Sequence, residues 1–434
     1  MKLLTSKALI KPVVATLGAL SLMTTVANAE TTLIKGAKVH TMTSQGVLET
    51  GDVLIEDGVI KSVANELAVD ADNTIDGKGK VLTPGIFALI NQIGLVELGS
   101  QDQTADMETE NEDQGASFRV DQVFNHNSTL VPVNRSNGVT RTLIAPEPGI
   151  QIFAGRGAIM SLDGDYDALL AKDVAIFAAF GERAAHMSGG SRASTLHELN
   201  LALNEARLYK SNRSAIELGE FRELHYSMDD LRSLQLVLDK KVPLIISANR
   251  ESDLLTLLDF AKEQNINIGF VGAAEAWKIA PKLAQANVAV FVDPMDNLPS
   301  SFEALGKRYD NAAILSKAGV NVMFLGQGFL ASHNAHTVRH SAGNAVAYGM
   351  DYDKALAAMI STPAEYFGGD KTYGQIAEGY QAELVLWSGD PLEVTTLAEQ
   401  VWIDGKATSM ENRSTKLRDR YKALDTDKNT GYRK

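Results

Sequence analysis

The stretch VLTPGIFALINQIGLVELGS, residues 81–100, decides how the chain is read. Thr83-Pro84-Gly85 is a turn, with Pro fixing one φ angle and Gly tolerating conformations that other residues avoid. It opens the short apolar run Ile86–Ile90, the pattern of a strand buried on both faces. Ile90 and Gln92 stand at the end of that run, and neither carries a charge or an imidazole.

On the N-terminal side, TTLIKGAKVHTM, GDVLIEDGVIKSVA and NTIDGKGKVLT alternate apolar and polar residues between glycines, as short strands do. Asp57-Gly58 between two such runs is a hairpin signal. The same texture returns near the other end in GQIAEGYQAELVLWSGDP and QVWIDGKA, where Asp404-Gly405 repeats the signal. Residues 30–83 and 366–407 are therefore expected to form one composite β-domain, a small β-sandwich built from both ends of the chain.

Between them, residues 84–365, strand-like and helix-like runs alternate. TRTLIA, VAIFAAF, VPLIISA, INIGFVG, VAVFVD and VNVMFLG are almost wholly apolar, and amphipathic segments such as DLLTLLDFAKEQ and AWKIAPKLAQA separate several of them. Fully apolar strands spaced by helices imply a parallel sheet covered on both faces. With the opening stretch there are at least seven such strands, which favours an α/β fold of the (β/α)8, TIM-like barrel type; the count alone does not exclude a doubly wound sheet. Residues 408–434 are expected to form a helical tail, with Met410, Leu417, Tyr421 and Leu424 on one docking face and basic residues around it.

The first 29 residues read as a secretory signal peptide. Lys2, Lys7 and Lys11 precede an apolar run of about fifteen residues that ends in Ala27-Asn28-Ala29. That run is short of the roughly twenty residues a membrane span needs, so cleavage after Ala29 and a periplasmic or secreted product are expected, with no membrane association afterwards. Loss of those lysines would move the formal charge from -13 to -16, which disfavours nucleic acid as a partner. The absence of cysteine excludes disulfides, thiolate metal sites and a cysteine nucleophile.

The order and spacing of several segments resemble the amidohydrolase superfamily, closest to its imidazolonepropionase-like, secreted members. They are GDVLIEDGVIKSVA, the TPG turn, Gly138-Val139-Thr140, AGVNVMFLG, HNAHTVRHSAGNAVAYGM, STPAEYFG and AEGYQAELVLWSGDPLE. The resemblance implies a barrel hydrolase in which one or two divalent ions activate a water against a C–N bond. It also implies ligands from a His-x-His after the first strand, histidines after the fifth and sixth, and an aspartate after the eighth. Here those places hold Ile90 and Gln92, Ser247, Gly272 and Gln327. No metal ligands, and hence no metal cofactor, are expected.

His333, His336 and His340 fall within about 60° of one another on a helix, but Ala335, Val338, Ala342, Ala345 and Val346 occupy the opposite side. The imidazoles are thus expected to face outward, with His333 alone near the barrel mouth. Asp293, Glu275 and His333 are the weak catalytic candidates. Gln92, Arg156, Ser247, Asn249, Arg250, Asp296 and Gln327 are the candidate pocket residues, suited to a small amide or peptide-like ligand. The acidic run 101–117 reads as a solvated, mobile loop on the mouth face. SGGSRAS (188–194) reads as the opening of a helix in which Ser191 and Arg192 could hold an anion. Function then divides between a non-catalytic binding protein, as partner subunit of an active amidohydrolase or as a homo-oligomer, and a C–N hydrolase with a non-zinc or relocated site.

Overall fold

The computed structural model describes residues 30–99, 101–326, 332–368 and 372–422. The expected signal peptide, Gln327 and the end of the C-terminal tail lie outside the described residues.

Five strands precede the barrel: β1 (Thr31–His40), β2 (Val47–Glu56), β3 (Val59–Ala64), β4 (Asn73–Asp76) and β5 (Val81–Pro84). Eight more form its wall: β6 (Ile86–Asn91), β7 (Val139–Ile144), β8 (Phe153–Ser161), β9 (Leu169–Ala179), β10 (Leu244–Ala248), β11 (Ile268–Gly272), β12 (Ala289–Val292) and β13 (Asn321–Phe324). The last three, β14 (Leu384–Trp387), β15 (Ala398–Ile403) and β16 (Lys406–Ala407), return to the first group. The two ends meet in one hydrogen-bonded sheet of order β16-β15-β14-β5-β1-β2-β3, with β4 on β1. Where a sandwich is expected from the sequence, the ladder is continuous. Asp57-Gly58 and Asp404-Gly405 both take the positive φ angles of tight hairpin turns. The two turns touch: a Cβ on Gly405 would lie 2.6 Å from the Gly58 Cα.

Thr83-Pro84-Gly85 joins this sheet to the barrel. Thr83 Oγ1 accepts from the Trp387 indole at 2.9 Å, and Gly85 donates to the Glu383 carbonyl. A Cβ on Gly85 would collide with Thr140 at 2.1 Å, so the turn needs glycine for a close backbone approach.

The barrel strands lie side by side in chain order from β6 to β13, and a parallel bridge between Leu89 and Leu325 joins the first to the last. One feature departs from (β/α)8: β8 runs antiparallel to both β7 and β9. The links 145–152 and 162–168 are the reason, because a parallel crossover needs a dozen or more residues. From β9 onward the pattern is strand and helix. Helices α3 (Arg192–Glu217) and α4 (Met228–Leu238) follow β9, after α1 (Leu130–Arg135) before β7 and α2 (Glu182–Met187). Then α5 (Glu251–Gln264), α6 (Ala280–Gln285) and α7 (Asn311–Lys317) separate β10 to β13, and α8 (Val338–Ala347) follows. Ser191 caps α3 by accepting from Ser194 N, while Arg192 is held by Asp253 and Glu303 and is committed to carboxylates rather than to an anion.

The barrel interior is filled, as such barrels are. Leu89, Leu143, Ile159, Phe177, Ile245 and Met323 pack along the axis. An aromatic plug closes the base, where Phe87 meets Phe367 and Tyr373 edge-on and Phe291 meets Tyr366 and Phe367. Beneath it Arg141 donates through Nε to both Glu383 oxygens at 2.8 and 2.9 Å, bonds Gln381, and stacks 3.6 Å from the Tyr373 ring centre. Burial works against the Arg141 charge, yet the Glu383 carboxylate outweighs it and raises the Arg141 pKa.

The helix Arg413–Lys422 corrects the expectation of a docked tail. It has no buried residue, and Leu417 and Tyr421 are exposed. It is tied at its start by Asn412, which donates to Ser136 Oγ.

Removing one partner of a buried pair strands the other charge, which costs about 3–5 kcal/mol. Arg141→Met should destabilise the chain by that order in equilibrium denaturation. Arg141→Met combined with Glu383→Leu should recover most of the loss.

Candidate ligand site at the barrel mouth

The C-terminal ends of the barrel strands surround a cavity of about 360 Å³, within the range of small-molecule sites. Its floor is apolar: Ile90, Phe177, Ile245, Val271, Val292 and Leu325. Gln92, Glu147, Ser247, Asp293, Asp296 and Asn311 supply its oxygen and amide groups, and Arg183, Lys307 and Arg308 its cations.

The first strand reaches this cavity through a distortion. The β6–β7 register slips between Ala88 and Asn91, and Ile90 has a φ of 48°. A β-branched residue there is a true outlier, costing on the order of 1–3 kcal/mol. Asn91 holds the distortion from behind: it donates to Thr142 Oγ1 at 2.7 Å and accepts from Ile93 N at 3.0 Å. Ile90 and Gln92 are then both on the cavity wall.

Gln92 is braced as well. Its N–H donates to Ser332 Oγ at 2.9 Å, and its Oε1 accepts from the same hydroxyl at 2.8 Å. The Ser332 carbonyl accepts from Asn134 Nδ2, which also donates to the Leu130 carbonyl. Asn134 Oδ1 is therefore an acceptor, and it faces both the His336 N–H and Nδ1 at 3.1 Å. This assigns the proton of neutral His336 to Nδ1. Burial, with Arg339 and His340 adding to it, pushes the His336 pKa down to about 4.

The histidine stripe is thus not an outward face. His336 is half-buried against Asn134, and His340 is also half-buried with its pKa lowered by burial and by Arg339. His333 bonds the Glu97 carbonyl at 3.2 Å and does not line the cavity. Asn134 of α1 covers His336, and the backbone at Glu97 meets His333.

Of the residues singled out from the sequence, Gln92, Ser247, Asp293 and Asp296 come together on the cavity wall. Others do not. Arg156 is on β8, pairs with Asp173 at 3.0 Å and lines a different groove. Glu275 accepts from Glu251 N at 2.9 Å at the start of α5 and pairs with Lys278 at 2.8 Å. Burial would raise its pKa, but those contacts and the Arg250 charge win and hold it low. Asn249 accepts from Ala274 N and donates to Glu303, bracing the loop, and Arg250 is exposed. Asp293 accepts from Met295 N and Ser341 Oγ.

Glu147, Arg183, Lys307, Arg308 and Asn311 were missed in the sequence. Each lies in a connection or on a helix start rather than at a strand end. Burial raises the Glu147 pKa; Arg183, 4.0 Å away, opposes it and Glu108 reinforces it. The acidic run is pinned rather than free: Gly115 N and Ser117 N donate to the buried Asp230 carboxylate, and Met107 accepts from Glu147 N.

A divalent metal needs several nitrogen or oxygen donors converging on one point. The strand ends offer Ile90, the Gln92 amide, the Ser247 hydroxyl, Gly272 and the Asp293 carboxylate. Among the described residues no group of three or more His, Asp or Glu could hold a metal ion. The residues present do not fit the centre that the resemblance implies.

Comparison with known proteins agrees with this architecture. Residues 212–412 match the family described as "Amidohydrolase family". The chain is 25% identical over 394 residues to amidohydrolase tasK of Hapsidospora irregularis. That match takes in 82% of the chain but only 40% of the relative's length. The structure of an amidohydrolase from Thermotoga maritima is 26% identical, with a TM-score of 0.76 over 87% of this chain and 99% of the other. A prolidase complexed with N-methylphosphonate-L-proline shares the fold at 15% identity and a TM-score of 0.53, over 88% of this chain and all of the other.

The low His336 pKa sets a stability window. Its folded value lies below the ordinary 6.5 of the unfolded chain, so the unfolded state takes up more protons in between. Stability should fall as pH drops from 6.5 toward 4, by up to about 3 kcal/mol for this residue. His336→Gln should flatten that part of the pH–stability curve relative to the parent, read by denaturant midpoints at pH 7 and 4.5.

Proposed function

We propose that the chain binds a small amide or peptide-like molecule in its barrel mouth without metal-assisted turnover. It then serves as a partner subunit of an active amidohydrolase, or pairs with a second copy of itself. One observation carries the reading. The strand ends that hold metal ligands in the family hold Ile90, Gln92, Ser247 and Gly272, and Gln92 is already committed to Ser332. Export through the N-terminal segment, cleaved after Ala29, and a place among the imidazolonepropionase-like secreted members belong to the same proposal.

A second reading has its own support. The Glu147 carboxyl is lifted by burial at the rim of the cavity that Asp293 also lines, and an acid with a raised pKa suits proton transfer. Two of the three similar proteins above bear the name amidohydrolase. Under this reading the chain hydrolyses C–N bonds with a non-zinc or relocated site.

Elemental analysis of the native protein with its copurifying chains, together with assays on a panel of amides, separates the two. The first reading expects metal well below one equivalent, a copurified amidohydrolase or a homo-oligomer, and no turnover. Hydrolysis lost in Glu147→Gln or Asp293→Asn would establish the second. One tightly held zinc or manganese per chain would overturn the first reading.

A further inference from the structure

We propose that the axis of the barrel mouth receives an uncharged apolar group of the ligand, in the space where the family places its metal. The proposal rests on the binding reading above and names what is bound.

The first support is the floor. Ile90, Phe177, Ile245, Val271, Val292 and Leu325 meet around the axis, so a charged group placed there would lose its hydration with little to replace it. The fold makes room for this surface at a cost. Gly157 on β8 has no side chain, and a Cβ there would lie 2.6 Å from the Phe177 ring. Ile90 holds its left-handed backbone while presenting a branched aliphatic group to the same space.

The second support is the state of the rim charges. Lys307 is 2.6 Å from Asp296, Arg308 is paired with Asp310, and Arg183 bonds the Pro148 carbonyl between Glu108 and Glu147. Asp293 accepts from Met295 N and Ser341 Oγ, among its contacts. Each rim charge thus already has a protein partner, which weakens the gain an ionic ligand would find there. Two groups on the wall keep capacity for a neutral polar end: the Ser247 hydroxyl makes no side-chain hydrogen bond among the described residues, and Gln92 Nε2 has no protein acceptor there. The ligand class is therefore a small uncharged amphiphile, with an aromatic or branched aliphatic group inward and hydrogen-bonding atoms at the rim.

The test uses the full chain and ligand-observed NMR with the N-acetyl amides of phenylalanine, leucine and glycine, and with N-acetyl-glutamate. The phenylalanine and leucine probes should bind at least tenfold more tightly than the glycine probe, the gain expected from burying one apolar side chain. N-acetyl-glutamate should bind no better than the glycine probe. Val271→Asn should remove the preference and Val271→Leu should retain it, each checked for native circular dichroism; if Val271→Asn does not fold, Val271→Phe, which fills the cavity, should abolish binding. Equal affinity for the glycine probe, preference for the glutamate probe, or no binding of any probe at millimolar concentration overturns the proposal. Equal glycine affinity would leave the binding reading standing. Hydrolysis of the probes with the same side-chain order in kcat/KM would support the proposal and remove the non-catalytic reading.

Discussion

Arg141 and Glu383 fix the two parts of the molecule to each other. Arg141 comes from the second barrel strand and Glu383 from the residue before β14, 242 positions later. The pair lies under the aromatic plug, so the guanidinium has lost most of its water and must find all its partners in protein. It finds them in Glu383, Gln381 and the face of Tyr373. Trp387, whose ring lies over Gly138 and whose indole bonds Thr83, locks the same junction on its other side. A barrel base sealed this way leaves the opposite end as the open one, and that is where the cavity lies.

The antiparallel strand β8 has a local effect on that cavity. Because 145–152 and 162–168 hold no crossover helix, Pro146, Glu147 and Pro148 form a tight corner at the mouth instead of a long βα loop. Backbone replaces helix at this side, and Glu147 is drawn toward Arg183 and the acidic run. The groups that line this side of the mouth thus follow from the length of two connections.

Much of the fold was legible because it depends on patterns that sequence carries directly. Asp57-Gly58 and Asp404-Gly405 marked two hairpins, and both turns have the backbone angles that those residues favour. The apolar runs at β10 to β13 marked strands, and Ser247 and Gly272 lie at the ends of the fifth and sixth barrel strands. Strand β8 was not legible. Phe153 to Ser161 carries Gly155 and Gly157, which lower strand propensity, yet both glycines answer close approaches, from Phe118 and from Phe177. Their reason is tertiary and leaves no local trace. The site was legible only where a strand end supplies it. Arg156, Asn249 and Glu275 have the right chemistry, but ion pairing and helix capping had already claimed them. Which of two polar residues faces a cavity and which braces a loop depends on contacts far apart in sequence.

The first strand shows how a barrel mouth can be closed over apolar side chains without a charged centre. Metal ligands at strand ends are buried polar groups that the ion itself compensates; without the ion, each would be an unpaired polar group in a dry site. Ile90 and Gly272 offer no side-chain donor, Ser247 offers only a hydroxyl, and Gln92 satisfies its amide oxygen with Ser332. Asp293 keeps its carboxylate and fixes it to Met295 and Ser341. The remaining strain is in the backbone at Ile90, held by Asn91 and Thr142. Strain of this kind persists where surrounding contacts over-determine the conformation. Here those contacts place an aliphatic side chain on the barrel axis, which makes the mouth selective for what can be buried against it.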